Sequence, residues 1–269
     1  MNGTLYKQMM KVNLKSFMNY SIGSAFYILL IFGLYPSIAG KTEAIDELVQ
    51  SMPEGVGRAF GLTGFDSAEA FISGEYYGLI LVLILSIVCV QLSTQLMAKL
   101  VDQGSMAYLL ATPTTRGKVA FTQGCVLVTG LVLIIAVTTI AGLIGNSWFL
   151  GGEYPFDIAK FVLLNVSALL LFFAVGGIAF LISALSNDEK RALGLSGGIT
   201  FGFFTLDLLG KISDSIAWMR SLSIFALYRP SEIVSGNQEM LLPAVLLFAI
   251  GTAAFGLAIA VFSRRDLPL

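Results

Sequence analysis

Residues 158–185 read IAKFVLLNVSALLLFFAVGGIAFLISAL, with one charge, Lys160, near the start and only Asn165, Ser167 and Ser183 as polar breaks in the apolar run behind it. A bilayer's hydrocarbon core is about 30 Å thick and a helix rises about 1.5 Å per residue, so roughly 20 apolar residues are needed to cross it. This stretch passes that test with residues to spare. Working outward, five more runs pass or approach it: Tyr20–Ala39, Tyr77–Ala98, Val119–Ile144, Leu193–Leu209 and Leu241–Phe262. In hydrocarbon the backbone must satisfy its own hydrogen bonds, which a helix does within one segment. The expectation is an all-α polytopic membrane protein of six transmembrane helices, with residues 1–269 forming one transmembrane domain.

Composition agrees and closes off other classes. Of 269 residues, 56% are hydrophobic and 12% charged, against roughly 45–50% and 25% in soluble domains. With Lys+Arg 16 against Asp+Glu 17, the chain offers no basic surface for nucleic acid. It has no histidine, so imidazole catalysis, His-ligated zinc and His-ligated haem are all excluded. Cys89 and Cys125 sit in apolar runs and read as small hydrophobes. No set of residues suggests a metal site or a nucleophile. The phosphate-binding GxxxxGK[ST] loop is absent, its nearest fragment being Arg116-Gly117-Lys118-Val119. Any ATP used must be bound by another chain.

Charge sets the orientation. With the N-terminus inside, the inner set is Lys7, Lys11, Lys15, Lys99, Arg116, Lys118, Lys190, Arg191, Arg264 and Arg265, ten of the 16 basic residues. The positive-inside rule then puts both termini in the cytoplasm of a multi-pass plasma-membrane protein. The first span exceeds the roughly 7–15 apolar residues of a secretory signal and reads as a retained helix. Before it, Lys7, Lys11 and Lys15 form one helical stripe, which predicts a cytoplasmic interfacial helix over residues 1–19. Residues 40–76 form an acidic outer loop, with helical spacing at Ile45, Leu48 and Val49, a break at Pro53-Glu54-Gly55 and short pieces at Phe60-Gly61-Leu62 and Ala68–Ile72. Residues 210–240 contain Ile216–Tyr228, apolar but too short to cross and interrupted by Arg220. They read as re-entrant or extracellular.

The spans hold almost no ionisable groups, which argues against proton- or sodium-coupled transport. Asp207 is the acidic candidate, and Lys211 one turn later explains it as an interfacial ion pair. Gln91, Ser93, Thr94 and Gln95, with Asn165 and Ser167, must face protein or water; they either bond neighbouring helices or, for Gln91, Thr94 and Gln95, line a path. Gly194, Gly198 and Gly202 recur every fourth residue on one helix face, a spacing that permits close helix approach.

The inner loop at residues 99–118 carries the most informative motif. It reads Asp102-Gln103-Gly104-Ser105-Met106-Ala107-Tyr108-Leu109-Leu110-Ala111-Thr112-Pro113-Thr114-Thr115-Arg116. Asp102 can cap a turn, Met106 to Leu110 can form a short amphipathic helix, and Pro113 ends it. An acidic residue, a Gly, a short helix ending in Leu-Leu, then Pro and Arg resembles the signature loop of ABC-2 type transporter permeases. The ending Phe262-Ser263-Arg264-Arg265-Asp266-Leu267 is similar to the tail of that family. Met52-Pro53-Glu54, Ala59-Phe60-Gly61 and Tyr76-Tyr77-Gly78 resemble its first outer loop. The Asp102-Gln103 pair departs from the family's more usual Glu-Glu or Glu-Arg.

The resemblance implies a half-transporter of a bacterial ABC exporter. Two such chains in the lipid bilayer, in the simplest case a homodimer, pair with cytoplasmic ABC ATPase subunits that hold ATP and Mg. It implies ATPase coupling through Asp102, Gly104, Met106, Leu109, Leu110, Pro113 and Arg116. A path or dimer interface would lie at Gln91, Thr94, Gln95, Gly194, Gly198 and Gly202. Spans without charge suit a hydrophobic or amphipathic cargo such as peptides, antimicrobials or lipids; polysaccharide or glycolipid export, or an ATP-independent membrane role, are the alternatives.

Overall fold

The computed structural model describes residues 1–41, 55, 57, 67–111, 113–236 and 240–266. We number the helices α1 (Gly3–Ala39), α2 (Ala68–Asp102), α3 (Ser105–Leu110), α4 (Arg116–Leu150), α5 (Ile158–Leu185), α6 (Glu189–Ile212), α7 (Pro230–Ser235) and α8 (Leu241–Arg264). All but α3 and α7 are long and apolar enough to cross a membrane, giving the six spans expected. Five of these six begin at a residue whose side chain accepts an otherwise orphaned amide: Asn2, Ser67, Thr115, Asp157 and Asp188.

α2 and α5 are the most enclosed, and α4 packs beside them; α1, α6 and α8 stand outside and keep large apolar side chains uncovered, such as Ile22, Phe26, Leu195 and Phe248. Such rows suit hydrocarbon. α8 packs mainly on α5, α1 on α4, and α6 on both α2 and α5.

α1 and α4 run in the same direction. Where they approach, glycine on α4 receives an aromatic ring from α1: Phe17 lies over Gly130 and Phe32 over Gly145. Between these contacts Thr138 Oγ1 donates to Ile134 O at 2.9 Å, so Ser24 Oγ, 2.6 Å away, donates to Thr138, and the Tyr76 hydroxyl donates to Ser24 at 2.5 Å. One relay thus fastens α1, α2 and α4 in an apolar interior.

Two boundaries differ from expectation. Residues 1–19 do not form a separate helix, because nothing between Lys15 and Tyr20 breaks the backbone, and α1 is continuous from Gly3 to Ala39. It changes course nonetheless. Tyr6 bonds Thr129 at 2.9 Å while Phe17 meets the adjacent Gly130, so the early turns cross α4 obliquely, whereas Phe17 to Phe32 keeps step with Gly130 to Gly145. The outer loop is also shorter than residues 40–76. Ala68–Ile72 is helical as expected but passes without interruption through a π-wound stretch, Ser73–Ile80, into α2, burying Tyr76 and Tyr77. The features expected at residues 45–54 and 58–62 lie outside the described residues, apart from Gly55.

After α6 the chain doubles back along it. Two 3-10 segments, Asp214–Leu222 and Ile224–Leu227, return beside α6, with Ser223 Oγ donating to Phe203 O at 2.7 Å and Phe225 edge-on to Phe204. Asp207, 4% exposed at its side chain, anchors the turn: Lys211 approaches at 2.6 Å, as its spacing suggested, and Arg220 of the returning segment at 3.1 Å.

The glycines separate packed from open helix faces. A Cβ at Gly130 would lie 2.2 Å from the fully buried Phe17 ring, whereas one at Gly198 meets nothing within 4 Å. Overpacking costs about 1–3 kcal/mol. Gly130→Ala should lower the melting temperature of the purified chain in detergent, and Gly198→Ala should leave it unchanged.

Candidate functional site

The end of the bundle that gathers Lys99, Arg116, Lys118, Lys190, Arg191, Arg264 and Arg265 also carries α3, a short helix between two spans. Gly104 precedes α3 at φ +68°, a left-handed conformation that glycine adopts without strain, and this turns the chain sharply after α2. No side chain caps α3. Pro113 lies beyond its end at Leu110.

Inside this loop the roles are redistributed. Met106 is fully buried and pins α3 to the bundle; Leu109 and Leu110 are half-buried against the same core. The residue that α3 presents outward is Tyr108, 82% exposed. Beside it, Leu109, Pro113 and Thr114 line a cavity of about 450 Å³ with Asn2, Leu5 and Gln8 of α1's first turns. Asn2 joins the two parts directly, its amide nitrogen donating to Thr114 Oγ1 at 3.0 Å and its backbone N–H to Thr122 Oγ1 at 3.0 Å.

Asp102 does not cap α3 as expected. Its Oδ2 accepts from the Glu189 N–H at 3.2 Å, so it caps the first turn of α6. Lys99, one turn earlier, pairs with the Glu189 carboxylate at 3.2 Å. The end of α2 is therefore tied twice to the start of α6. Arg116 is equally internal: its guanidinium donates to Arg265 O, and Arg265 in turn donates to Ala184 O at 2.7 Å and Ser186 O at 3.2 Å at the end of α5.

α2 breaks where it meets this loop. Met97 takes φ −126° and ψ −77°, which releases the Ala98 amide from the helix. Ser183 of α5 repairs the break from both sides, its Oγ accepting from Ala98 N at 3.1 Å and donating to Ser93 O at 2.8 Å. Sequence reading missed Ser183, a lone serine in an apolar run, because the need it meets arises on another helix.

The remaining candidates divide by face. Gln91 and Gln95, one turn apart, are partly exposed on α2, and Gln91 accepts from the Tyr20 hydroxyl of α1. Thr94 is buried, so it does not share their partly exposed surface. Asn165 and Ser167 bond back to their own helix, at Phe161 O (2.9 Å) and Leu163 O (2.7 Å). Gly194, Gly198 and Gly202 line an uncovered face of α6, each with open space at its missing Cβ. The opposite face, with Ala192, Ser196 and Thr200, is buried. Among the described residues no group of His, Cys, Asp and Glu could hold a metal.

A comparison with protein families matches residues 15–267 to the model described as ABC-2 family transporter protein. No curated protein matches the chain.

Ser183→Ala leaves the Ala98 amide buried without an acceptor, a loss of about 1–3 kcal/mol. Its melting temperature in detergent should fall, while Ser147→Ala, at an exposed hydroxyl near the end of α4, should melt like the parent.

Proposed function

We propose, from the premise that this chain belongs to the ABC-2 transporter family and is a membrane permease of an ABC transporter, that it works as one half of an exporter. Two copies form the path, and cytoplasmic ATPase subunits supply the energy. The ATP and magnesium sit on those subunits; no bond is made or broken in this chain. Both termini and α3 face the cytoplasm, in keeping with the basic residues gathered at that end.

The observation that carries this reading is Tyr108. A short helix pinned by Met106 that holds one aromatic ring outward, beside an open cavity floored by Leu109 and α1, has the form of an interface anchor. Buried aromatics of this kind supply most of the energy of protein contacts. Asp102, Gly104, Leu110, Pro113 and Arg116 then act as positioning residues: they set where α3 sits and join it to α6.

Movement of α3 passes into α6 through Asp102 and the Lys99–Glu189 pair. The uncovered face at Gly194, Gly198 and Gly202 lets α6 approach a second copy closely. Gln91 and Gln95 supply the polar groups next to that path. Thr94 has no part in it. A path with two amides and no charge suits an amphipathic or hydrophobic cargo, since a charged cargo needs paired charges.

Tagged chain extracted from its native membrane should bring down an ATPase with vanadate-sensitive hydrolysis. Tyr108→Asp removes an anchor worth about 2 kcal/mol or more, so co-purification should fall at least tenfold with the melting temperature unchanged. A chain that purifies alone, or an ATPase retained by Tyr108→Asp, contradicts this reading.

A further inference from the structure

The basic end carries a second cavity, of about 290 Å³, on a different side from α3. It opens where α5 ends at Leu185 and α6 begins at Glu189, and Arg265 of the C-terminal segment forms part of its wall. The lining is divided in character. Arg191, Arg265, Ser186 and Asn187 are polar; Ile182, Leu185, Leu195 and Ile199 are apolar.

The order of these groups along α6 matters. Arg191, Leu195 and Ile199 stand at i, i+4 and i+8, a single stripe with a cation at the membrane boundary and two apolar side chains behind it. Leu185, Leu195 and Ile199 are 53%, 48% and 40% exposed, so nothing among the described residues covers this wall.

The cations are fixed without being neutralised. Arg265 donates to the carbonyls of Ala184 and Ser186 and to the side-chain oxygen of Asn187, all neutral acceptors. Neither Arg191 nor Arg265 has an ion-pair partner among the described residues. The one carboxylate in the lining, Asp188, accepts from Arg191 N at 2.6 Å as the cap of α6, and the neighbouring Glu189 is taken by Lys99. Two guanidinium groups therefore face one helix-capping carboxylate at the edge of an apolar groove.

We infer that this cavity binds an anionic phospholipid of the adjoining leaflet, with the phosphate between Arg191 and Arg265 and an acyl chain along Leu195 and Ile199. A guanidinium matches phosphate oxygens in pairs, and the apolar stripe continues in the direction a lipid tail takes. A soluble anion uses only the first half of the site. The lipid touches α5, α6 and the C-terminal segment together, at the turn of α6 that Asp102 and Lys99 tie to the end of α2.

The test uses full-length chain, delipidated in detergent and titrated with phosphatidylglycerol, phosphatidylcholine or glycerol 3-phosphate, with binding read by native mass spectrometry. Phosphatidylglycerol should bind at least tenfold more tightly than either of the others. A cation near an anionic surface contributes about 1 kcal/mol, or about fivefold, so Arg191→Gln should weaken phosphatidylglycerol by that factor, and Arg191→Lys, which keeps the charge but loses the paired donors, should weaken it by less. Ile199→Asn should also weaken it. Lys118→Gln, an exposed cation at the same end but outside the cavity, should change nothing. Equal losses for Lys118→Gln and Arg191→Gln mean diffuse attraction and overturn the site. Glycerol 3-phosphate binding as tightly as the lipid makes it a free-anion site, and a change in oligomeric mass with Arg191→Gln makes it a contact between copies; either result overturns the inference.

Discussion

The Ala98 amide and the Ser183 hydroxyl show the constraint under which the whole chain is built. Inside a bilayer no water reaches the backbone, so a helix can depart from its own hydrogen bonding only where another part of the protein takes up the freed groups. α2 departs once near its end beside α3, at Met97, and α5 supplies a single oxygen that serves both the freed amide and the carbonyl of Ser93. The break is what lets the chain leave the bundle and turn through Gly104 into α3. Without that repair α2 has no inexpensive way to end where it does.

The same rule explains why so few polar side chains in the spans are free for transport. Ser24, Tyr76 and Thr138 are spent on joining three helices, Asn165 and Ser167 on their own helix, and Asp207 on holding the returning segment through Lys211 and Arg220. Among the candidate site residues, those left uncovered are Gln91 and Gln95 on α2 and the glycine stripe on α6. At the basic end, Asp102 and Lys99 join α2 and α6 through charge-assisted bonds, and the proposed coupling would run along them. Arg116 and Arg265 brace α4 and α5 behind it.

Much of this was legible in the sequence, and the parts that were not share a cause. The six spans follow from run length, because burial in lipid is a local demand; the capping residues Asn2, Thr115, Asp157 and Asp188 set their starts only in the structure. The Lys7, Lys11 and Lys15 stripe marks where charge ends, not where a helix ends, so α1 continued past Tyr20. Leu109 and Leu110 look like the outward face of α3 because they are apolar; the face is decided by how Met106 seats against the bundle, and Tyr108 points out instead. Asp102 could cap either neighbouring helix, and only the position of α6 chooses. The Gly194, Gly198 and Gly202 stripe was visible, but its openness depends on which helices α2 and α5 bring beside it. Thr94 and Gln95 adjoin in sequence and part in space.

The claim at the centre of this account is that α3 and α6 move as one body. Spin labels at Ala111→Cys and Gly194→Cys, with Cys89 and Cys125 replaced by alanine, report it directly by pulsed electron resonance in the complex with and without ATP and vanadate. The account predicts that the 111-to-194 distance within a chain stays constant while the 194-to-194 distance between copies changes. A shift of several ångströms between 111 and 194 within one chain would contradict it.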